Sequence, residues 1–227
     1  MGAETPEKEP MAMVFEDRED AGRQLAAALP QFRERPDTLV LGLARGGIPV
    51  AAATAEVLHL PFGALLVRKL GIPGHDETAF GALAYSGGRI VRLLNRPLVE
   101  RLLDDGVRQQ WLDQVEHRER SELMRRADSY PAVDPDVHGK TALLVDDGLA
   151  TGATMRAAVE AVRMAGAAAV VAAAPVGSLE AEKSLSRVCN VLCLHLPGRF
   201  RAVGAFYRHF DQLSDEDAIA LLHGARI

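Results

Sequence analysis

Two adjacent carboxylates, Asp146 and Asp147, follow a run of apolar residues at 141–145. Such a run predicts a buried strand, and open α/β sheets bind their ligands at the carboxyl ends of the strands. Carboxylates at that edge accept hydrogen bonds from sugar hydroxyls and serve as oxygen ligands for Mg²⁺. The pair therefore predicts a ligand with hydroxyl groups, a bound divalent cation, or both.

The turn after the acid pair is built from small and hydroxyl-bearing residues. Gly148 and Gly152 let the backbone approach a ligand closely. Thr151, Thr154 and the free N–H groups of a first helical turn can hold a phosphate. Because carboxylates repel a phosphate, the acids must face another group of the same ligand. The alternative is an ordinary strand-to-helix turn whose acids are solvated or cap the helix, but the length of the pattern favours a ligand site.

This arrangement of hydrophobic residues, two acids and a Thr-Gly-rich turn resembles the loop with which type I phosphoribosyltransferases bind 5-phosphoribosyl-1-pyrophosphate (PRPP). The resemblance implies that Asp146 and Asp147 face the ribose 2′- and 3′-hydroxyls, that Asp147 takes part in catalysis, and that both carboxylates hold Mg²⁺ indirectly. It also implies that residues 149–154 cradle the 5-phosphate. The PRPP-binding residues of this loop are then Asp146, Asp147, Gly148, Leu149, Ala150, Thr151, Gly152, Ala153 and Thr154.

Two other segments occur in the order that the family uses. Arg45, Gly46 and Gly47 follow an apolar run at 38–43 and look like the family's pyrophosphate loop, whose backbone N–H groups bind the diphosphate of PRPP. A Gly-Gly turn before a helix is also common without any ligand.

Arg68 and Lys69 end the apolar run at 62–69, just before Gly-Ile-Pro-Gly at 71–74. This stretch is similar to the flexible catalytic loop of adenine-type members of the family. Two cations at a strand end can neutralise a diphosphate as it leaves, so we predict catalytic roles for both. Solvated surface cations are the alternative.

The segment at 196–210 holds four aromatic residues, namely Phe200, Phe206, Tyr207 and Phe210. Its first part, residues 197–204, resembles the Pro-x-x-Phe-x-x-Val-Gly stretch of hypoxanthine–guanine members. The resemblance implies that Phe200 stacks on the acceptor base, which would be a purine. An aromatic residue that simply fills the core is the alternative.

The elements that must position these residues alternate along the chain, which predicts a mostly parallel, doubly wound α/β sheet with a β-hairpin flexible loop, a helical insertion and a small C-terminal hood. We predict a loop at 71–76 and a hairpin from 79 to 94 that turns at 86–88. The predicted helices cover residues 16–29, 48–58, 151–165 and 178–187. The other predicted strands cover residues 38–43, 62–69, 140–147, 168–175 and 188–196.

Residues 97–128 are charged and helical in pattern, with Leu103, Val107, Trp111 and Val115 spaced four apart on one stripe. We predict a packed helix or helical hairpin there, with a partner-binding helix as the alternative. The predicted organisation is a disordered tail at 1–12, a phosphoribosyltransferase core at 13–195 that includes this helical insertion, and a hood at 196–227. The whole chain looks closest to a little-characterised bacterial group of such proteins.

The chain has 227 residues, a net charge of −5 and 48% hydrophobic residues, which suits one α/β domain with an elaboration and excludes a disordered class. No apolar run approaches the ~20 residues that span a bilayer, so we expect no membrane contact and a cytoplasmic location. The mild acidity disfavours nucleic acid as a partner. Cys189 and Cys193 are four residues apart on a predicted strand, about 13 Å, too far for a disulfide, so we expect buried thiols.

Together these features lead us to expect Mg²⁺-assisted transfer of the phosphoribosyl group of PRPP to a nitrogenous base, with release of pyrophosphate. The principal alternative is a regulator that senses PRPP without turnover, and a generic nucleotide-binding protein or phosphatase is a third. We also expect a homo-oligomer.

Overall fold

The structure, a computed structural model, describes residues 15–72, 75–86, 88–130 and 136–223, except for the side chains at 75–78 and 86. The tail predicted to be disordered, residues 1–12, lies outside this part of the chain, as does Gly87 of the predicted hairpin turn. Among the described residues, no helix is both long and apolar enough to cross a bilayer.

One seven-stranded sheet runs through the molecule in the order β4-β3-β2-β1-β5-β6-β7. Five neighbouring strands are parallel, and the β3–β4 hairpin adds two antiparallel strands at one edge. The strands are β1 Thr38–Leu43, β2 Phe62–Ile72, β3 His75–Ser86, β4 Arg89–Leu94, β5 Thr141–Val145, β6 Ala169–Val176 and β7 Asn190–His195. The predicted fold class is confirmed.

Helices cover both faces of the sheet. They are α1 Arg18–Ala27, α2 Gly47–Leu58, α3 Arg96–Asp104, α4 Gln109–Ser129, α5 Ala153–Met164, α6 Leu179–Leu185 and α7 Asp215–His223. Leu66 and Leu70 of β2 pack in the cluster that contains α1, α2 and α4. Leu65 and Val67, which point the other way, pack in the cluster that contains α5. This alternation is the period of two expected for a strand buried on both faces.

The helical insertion consists of two helices, α3 and α4, and not one continuous helix. The chain breaks at Gly106, which adopts φ +87°, a backbone conformation that glycine tolerates and that commonly ends helices. The prediction that the apolar residues from Leu103 to Val115 share one helix face is therefore wrong. Leu103 is 38% exposed, whereas Val115 is only 3% exposed. The second helix, α4, packs against β2 and β3.

The predicted loop at 71–76 is also largely wrong. β2 continues to Ile72, which pairs with His75 at the start of β3, through two register shifts. Pro73 and Gly74 lie outside the described residues. The extension escapes sequence analysis because the residues beyond Lys69 form neither an apolar run nor a clear alternation.

The C-terminal segment folds back on both the start of the chain and the sheet. Tyr207 forms a parallel β-bridge with Phe15. The two residues share a small buried cluster with Phe206 and Val176. Farther on, α7 packs against α2, and its Leu222 belongs to the main core.

Cys189 and Cys193 are free thiols, as expected from their spacing. They are partly exposed, so the prediction that they are buried is wrong. The reason is that β7 is the edge strand of the sheet and is only partly covered.

Candidate functional site

The acid pair lies directly against the turn between β1 and α2. β1 and β5 are parallel neighbours, so their carboxyl ends meet at the same edge. A Cβ added to Gly46 would lie 2.1 Å from Oδ2 of Asp147, and one added to Gly47 would lie 2.4 Å from the carbonyl oxygen of Val145. A larger residue at position 47 would clash with the backbone of β5 and Asp146, and one at position 46 would displace the carboxylate of Asp147. The preceding Ala44–Arg45 peptide bond is cis.

The two carboxylates have little compensating charge. Burial raises the pKa of Asp146 well above its usual range, and the neighbouring charge of Asp147 raises it further, against a smaller opposing effect of Lys69. Burial also raises the pKa of Asp147, although Arg18 opposes the shift. A ligand that donates hydrogen bonds or brings a cation to this pair would favour the ionised carboxylates.

The turn after the pair leads into the N-terminus of α5. Gly152, at φ +73°, precedes the first helical residue, and the hydroxyl of Thr151 accepts a hydrogen bond from the N–H of Ala153 at 3.4 Å. The hydroxyl of Ser178 donates to the carbonyl of Ala150 at 2.7 Å and fixes the turn from the side of α6. The remaining first-turn N–H groups of a helix have no intrahelical acceptor and suit a phosphate.

The two predicted catalytic cations line one cavity of about 560 Å³ at the end of β2, together with Thr154. Lys69 is exposed and sits near enough to Asp146 to lower the pKa of that carboxyl. Arg68 is already paired: its Nε and Nη2 donate to Oε2 of Glu119 on α4 at 2.9 and 2.6 Å. Sequence analysis did not foresee this partner.

A third cation, Arg18, was missed altogether. Its Nε donates to Oδ2 of Asp147 at 3.0 Å, and its Nη1 donates to the carbonyl of Asp211 at 2.9 Å. The guanidinium carbon lies 3.8 Å from the ring centroid of Phe210, a cation–π contact. Nothing local in the sequence marks this residue, because its partners are brought to it only by the fold.

The C-terminal segment closes one side of the acid loop. The hydroxyl of Tyr207 donates to the carbonyl of Asp147 at 2.6 Å, and the side chain of Val203 fills the space beside Gly148. Phe200 stacks on Phe206 at 5.9 Å between ring centroids and stays partly exposed in the same cluster. The predicted role of Phe200 in base binding stays a prediction.

Arg45, in the β1–α2 turn, points to a second acidic centre at the start of α7. Asp215 accepts a hydrogen bond from Tyr130 at 2.7 Å and pairs with Arg125 at 2.8 Å. Arg126 and Arg45 lie 3.5 and 3.7 Å away. Burial would raise the pKa of Asp215, but Tyr130 and the arginines outweigh it and hold that pKa below its usual value.

Among the side chains that the structure describes, no group of three or more from His, Cys, Asp or Glu is arranged to hold an ion. The two carboxylates Asp146 and Asp147 nevertheless fit Mg²⁺, because this ion commonly binds through one or two carboxylates together with substrate phosphates and water.

The model of the phosphoribosyl transferase domain matches residues 15–193, so the chain belongs to this family. Two curated Mycobacterium tuberculosis proteins, provisionally named phosphoribosyl transferases, are 42% identical over 215 residues. The alignment covers 93% of this chain and 47% of theirs, so the chain spans about half the length of the curated relatives it matches.

Among solved structures, the TT1426 protein of Thermus thermophilus is 40% identical, with a TM-score of 0.75 over 92% of this chain and 98% of its own. The AQ2163 protein of Aquifex aeolicus has a TM-score of 0.50 at 12% identity over 82% of this chain and 78% of its own, a likeness of fold alone.

Proposed function

We propose that the chain transfers the 5-phosphoribosyl group of PRPP to a nitrogenous base with the help of Mg²⁺ and releases pyrophosphate. The observation that carries this proposal is the contact of Asp146 and Asp147 with the side-chain-free turn at Gly46 and Gly47. Two carboxylates that can accept hydrogen bonds from hydroxyl groups thus adjoin a glycine turn whose backbone is open to a ligand, beside a helix N-terminus.

Each part of the site has a role in this proposal. The acid pair accepts hydrogen bonds from the ribose hydroxyls, and residues 149–154 hold the 5-phosphate at the start of α5. The turn at 45–47 holds the diphosphate. Asp146 and Asp147 would hold Mg²⁺ together with PRPP, and the ion would supply positive charge to neutralise the diphosphate.

The reaction breaks the bond between the anomeric carbon and the diphosphate oxygen, and the electron pair leaves with the diphosphate. A nitrogen lone pair of the acceptor forms the new bond to that carbon, and the proton that this nitrogen carried passes to the departing diphosphate or to solvent water. Lys69 lines the cavity at the end of β2 and stabilises the negative charge that grows on the departing oxygen. Positioning and electrostatics therefore do most of the catalytic work.

In this proposal the acceptor is a purine, and the ring of Phe200 stacks on it. Ring stacking on a base is worth roughly 1–3 kcal/mol in nucleic-acid systems. Phe200→Ala should therefore weaken purine binding at least about fivefold and leave PRPP affinity unchanged, as measured by calorimetry with each ligand alone. Equal purine affinity in both proteins would remove Phe200 from the acceptor site.

The function is tested by incubating the protein with PRPP, Mg²⁺ and a panel of purines, pyrimidines and other nitrogenous acceptors while pyrophosphate release is followed. Release that depends on one acceptor supports transfer. PRPP binding without release from any acceptor would contradict transfer and favour the PRPP-sensing alternative. No PRPP binding would contradict both.

A further inference from the structure

The pair formed by Arg68 and Glu119 joins the helical insertion to the cavity at the end of β2. Both Nε and Nη2 of Arg68 donate to a single oxygen, Oε2 of Glu119. The other oxygen accepts from Nε of Arg118 at 3.0 Å. The Glu119 side chain is only 11% exposed, so this carboxylate is enclosed by its two arginines.

The alternation of β2 separates the two cations at its end. Leu66 and Leu70 face α4, so Arg68 lies on that side of the sheet, whereas Val67 and Lys69 lie on the α5 side, towards the acid loop. Both cations nevertheless line the same cavity, because it opens around the end of the strand. Arg68 reaches this cavity from the far face of the sheet.

The bond to Glu119 leaves part of the guanidinium available. Within the described part of the chain, Nη1 of Arg68 makes no hydrogen bond. The described lining of the cavity carries three cations, Arg68, Lys69 and Arg118, against one carboxylate, Glu119. The cavity therefore keeps an excess of positive charge even with Glu119 ionised, which suits a polyanion.

We propose that Glu119 is a positioning residue that holds Arg68 so that its free N–H groups bind the departing diphosphate opposite Lys69. This inference rests on the proposed function. A long arginine side chain on a strand end has many rotamers, and a fixed partner removes the entropy cost of ordering it when the diphosphate arrives. The helical insertion thus contributes to the site through a residue that touches no substrate.

The same helix supplies a matched control. Glu116, one turn before Glu119, pairs with Arg92 of β4 at 2.8 Å and with Arg120 at 3.2 Å. It also links α4 to the hairpin, with 18% of its side chain exposed, but it does not line the cavity. E116Q and E119Q therefore remove one carboxylate each from equivalent ion pairs, and only one of them lies at the cavity.

Two readouts separate positioning from general stability. With the best acceptor, E119Q should lower kcat about tenfold to hundredfold while KM for PRPP changes less than threefold, as expected when a reacting group is misplaced. E119Q should also weaken binding of inorganic pyrophosphate with Mg²⁺, measured by calorimetry, whereas E116Q should match wild type in both. E119D, which keeps the charge, should recover part of the loss.

A double variant tests whether Glu119 acts through Arg68. R68Q combined with E119Q should be no slower than R68Q alone, because the partner has nothing left to position. Equal losses in E119Q and E116Q, parallel to falls in melting temperature, would overturn the proposal, as would wild-type kcat and pyrophosphate affinity in E119Q.

The pyrophosphate measurement keeps this test distinct from that of the function. If wild type releases no pyrophosphate from PRPP with any acceptor, the proposed function fails, and weaker pyrophosphate binding by E119Q than by E116Q still supports the role of Glu119. If wild type binds no pyrophosphate, the role of Glu119 fails as well.

Discussion

Two acidic centres contact the turn between β1 and α2, and they differ in almost every other respect. At the end of β5, Asp147 lies against Gly46 and next to a second carboxylate, Asp146. At the start of α7, Asp215 stands within 3.7 Å of Arg45 and accepts hydrogen bonds from Tyr130 and an arginine. The first centre has raised pKa values and the second a lowered one.

We interpret this difference as one between the proposed binding site and a structural centre. An acid surrounded by arginines and a tyrosine hydroxyl has its charge compensated by the fold, and it holds together the elements that carry those partners. Two adjacent enclosed carboxylates with a single directly bonded cation remain costly until a ligand supplies donors, which is the condition typical of functional sites. The following predictions test this division, from the largest expected effect to the smallest.

The largest effect should come from removing both a carboxylate and a hydroxyl from the acid loop, residues 146–154. Asp147→Asn combined with Thr151→Ala should weaken PRPP binding by a few kcal/mol, because hydrogen bonds to charged groups are worth about 1.5–3 kcal/mol each. Calorimetry with PRPP and Mg²⁺ measures the change. Unchanged affinity in this double variant would show that the pair is not the PRPP site.

Lys69 should affect turnover more than binding. Lys69→Ala should reduce kcat about hundredfold, the loss typical of one donor that stabilises transition-state charge, with a much smaller change in PRPP affinity. Lys183, exposed on α6, is the matched control for removing a positive charge. A rise in KM with kcat unchanged would assign Lys69 to ground-state binding only.

Removing the charge of Asp215, at the second acidic centre, should lower the stability of the fold. Asp215→Asn should lower the free energy of unfolding by about 1–3 kcal/mol, since three arginines and Tyr130 lose their anionic partner. Urea unfolding measures the change. PRPP affinity should fall far less than in the double variant Asp147→Asn with Thr151→Ala. A stable D215N protein without PRPP affinity would reverse the proposed division.

The carboxylates of the same centre should make the stability of the protein fall at low pH. Asp215 and Glu122 have lowered pKa values in the fold, the latter to about 2 through hydrogen bonds from Arg125 and Arg126. Carboxylates with lowered pKa values stabilise the fold fully at pH values above the pKa of about 4 that they have in the unfolded chain. This stabilisation is lost as the pH falls towards 2. The melting temperature should therefore drop over this range, and less steeply in D215N; equal slopes would contradict the assignment.

The smallest predicted effect is an increase in stability. Asp146→Asn should raise the free energy of unfolding of the unliganded protein at neutral pH by about 0.5–2 kcal/mol, because it removes an enclosed charge with a raised pKa beside another carboxylate. The amide oxygen can still accept the hydrogen bond from the N–H of Asp147. PRPP affinity should fall in the same variant, and a loss of stability would show that the pair is already compensated.

The parts of the site that the sequence predicted are those made by neighbours in the chain. An apolar run followed by two acids and glycines places Asp146, Asp147 and the start of α5 without knowledge of the fold. The glycines at 46 and 47 could be related to them because parallel strands end at the same edge. The break at Gly106 was also readable from a glycine after two aspartates, but the four-residue spacing of apolar residues concealed it.

The parts that the sequence did not predict are pairings between distant residues. Arg18 is 129 positions from Asp147, and Arg68 is 51 positions from Glu119. The residues that neighbour an arginine in the sequence do not show whether it pairs with a buried carboxylate or stays in solvent. Composition and periodicity therefore cannot predict these ion pairs. The two predicted catalytic cations looked equivalent for this reason, and only the fold shows that one is paired with an acid.

The position of Arg18 bears on how the protein is made. Its side chain donates to the carbonyl of Asp211, which is translated 193 residues later. At synthesis rates of about 5–20 residues per second, roughly 10–40 s pass between the two events. During that interval the first strands and α2 can already form, while the acid loop still lacks its contacts with Val203 and Tyr207. The proposed PRPP site is thus among the last features of the nascent chain to be completed.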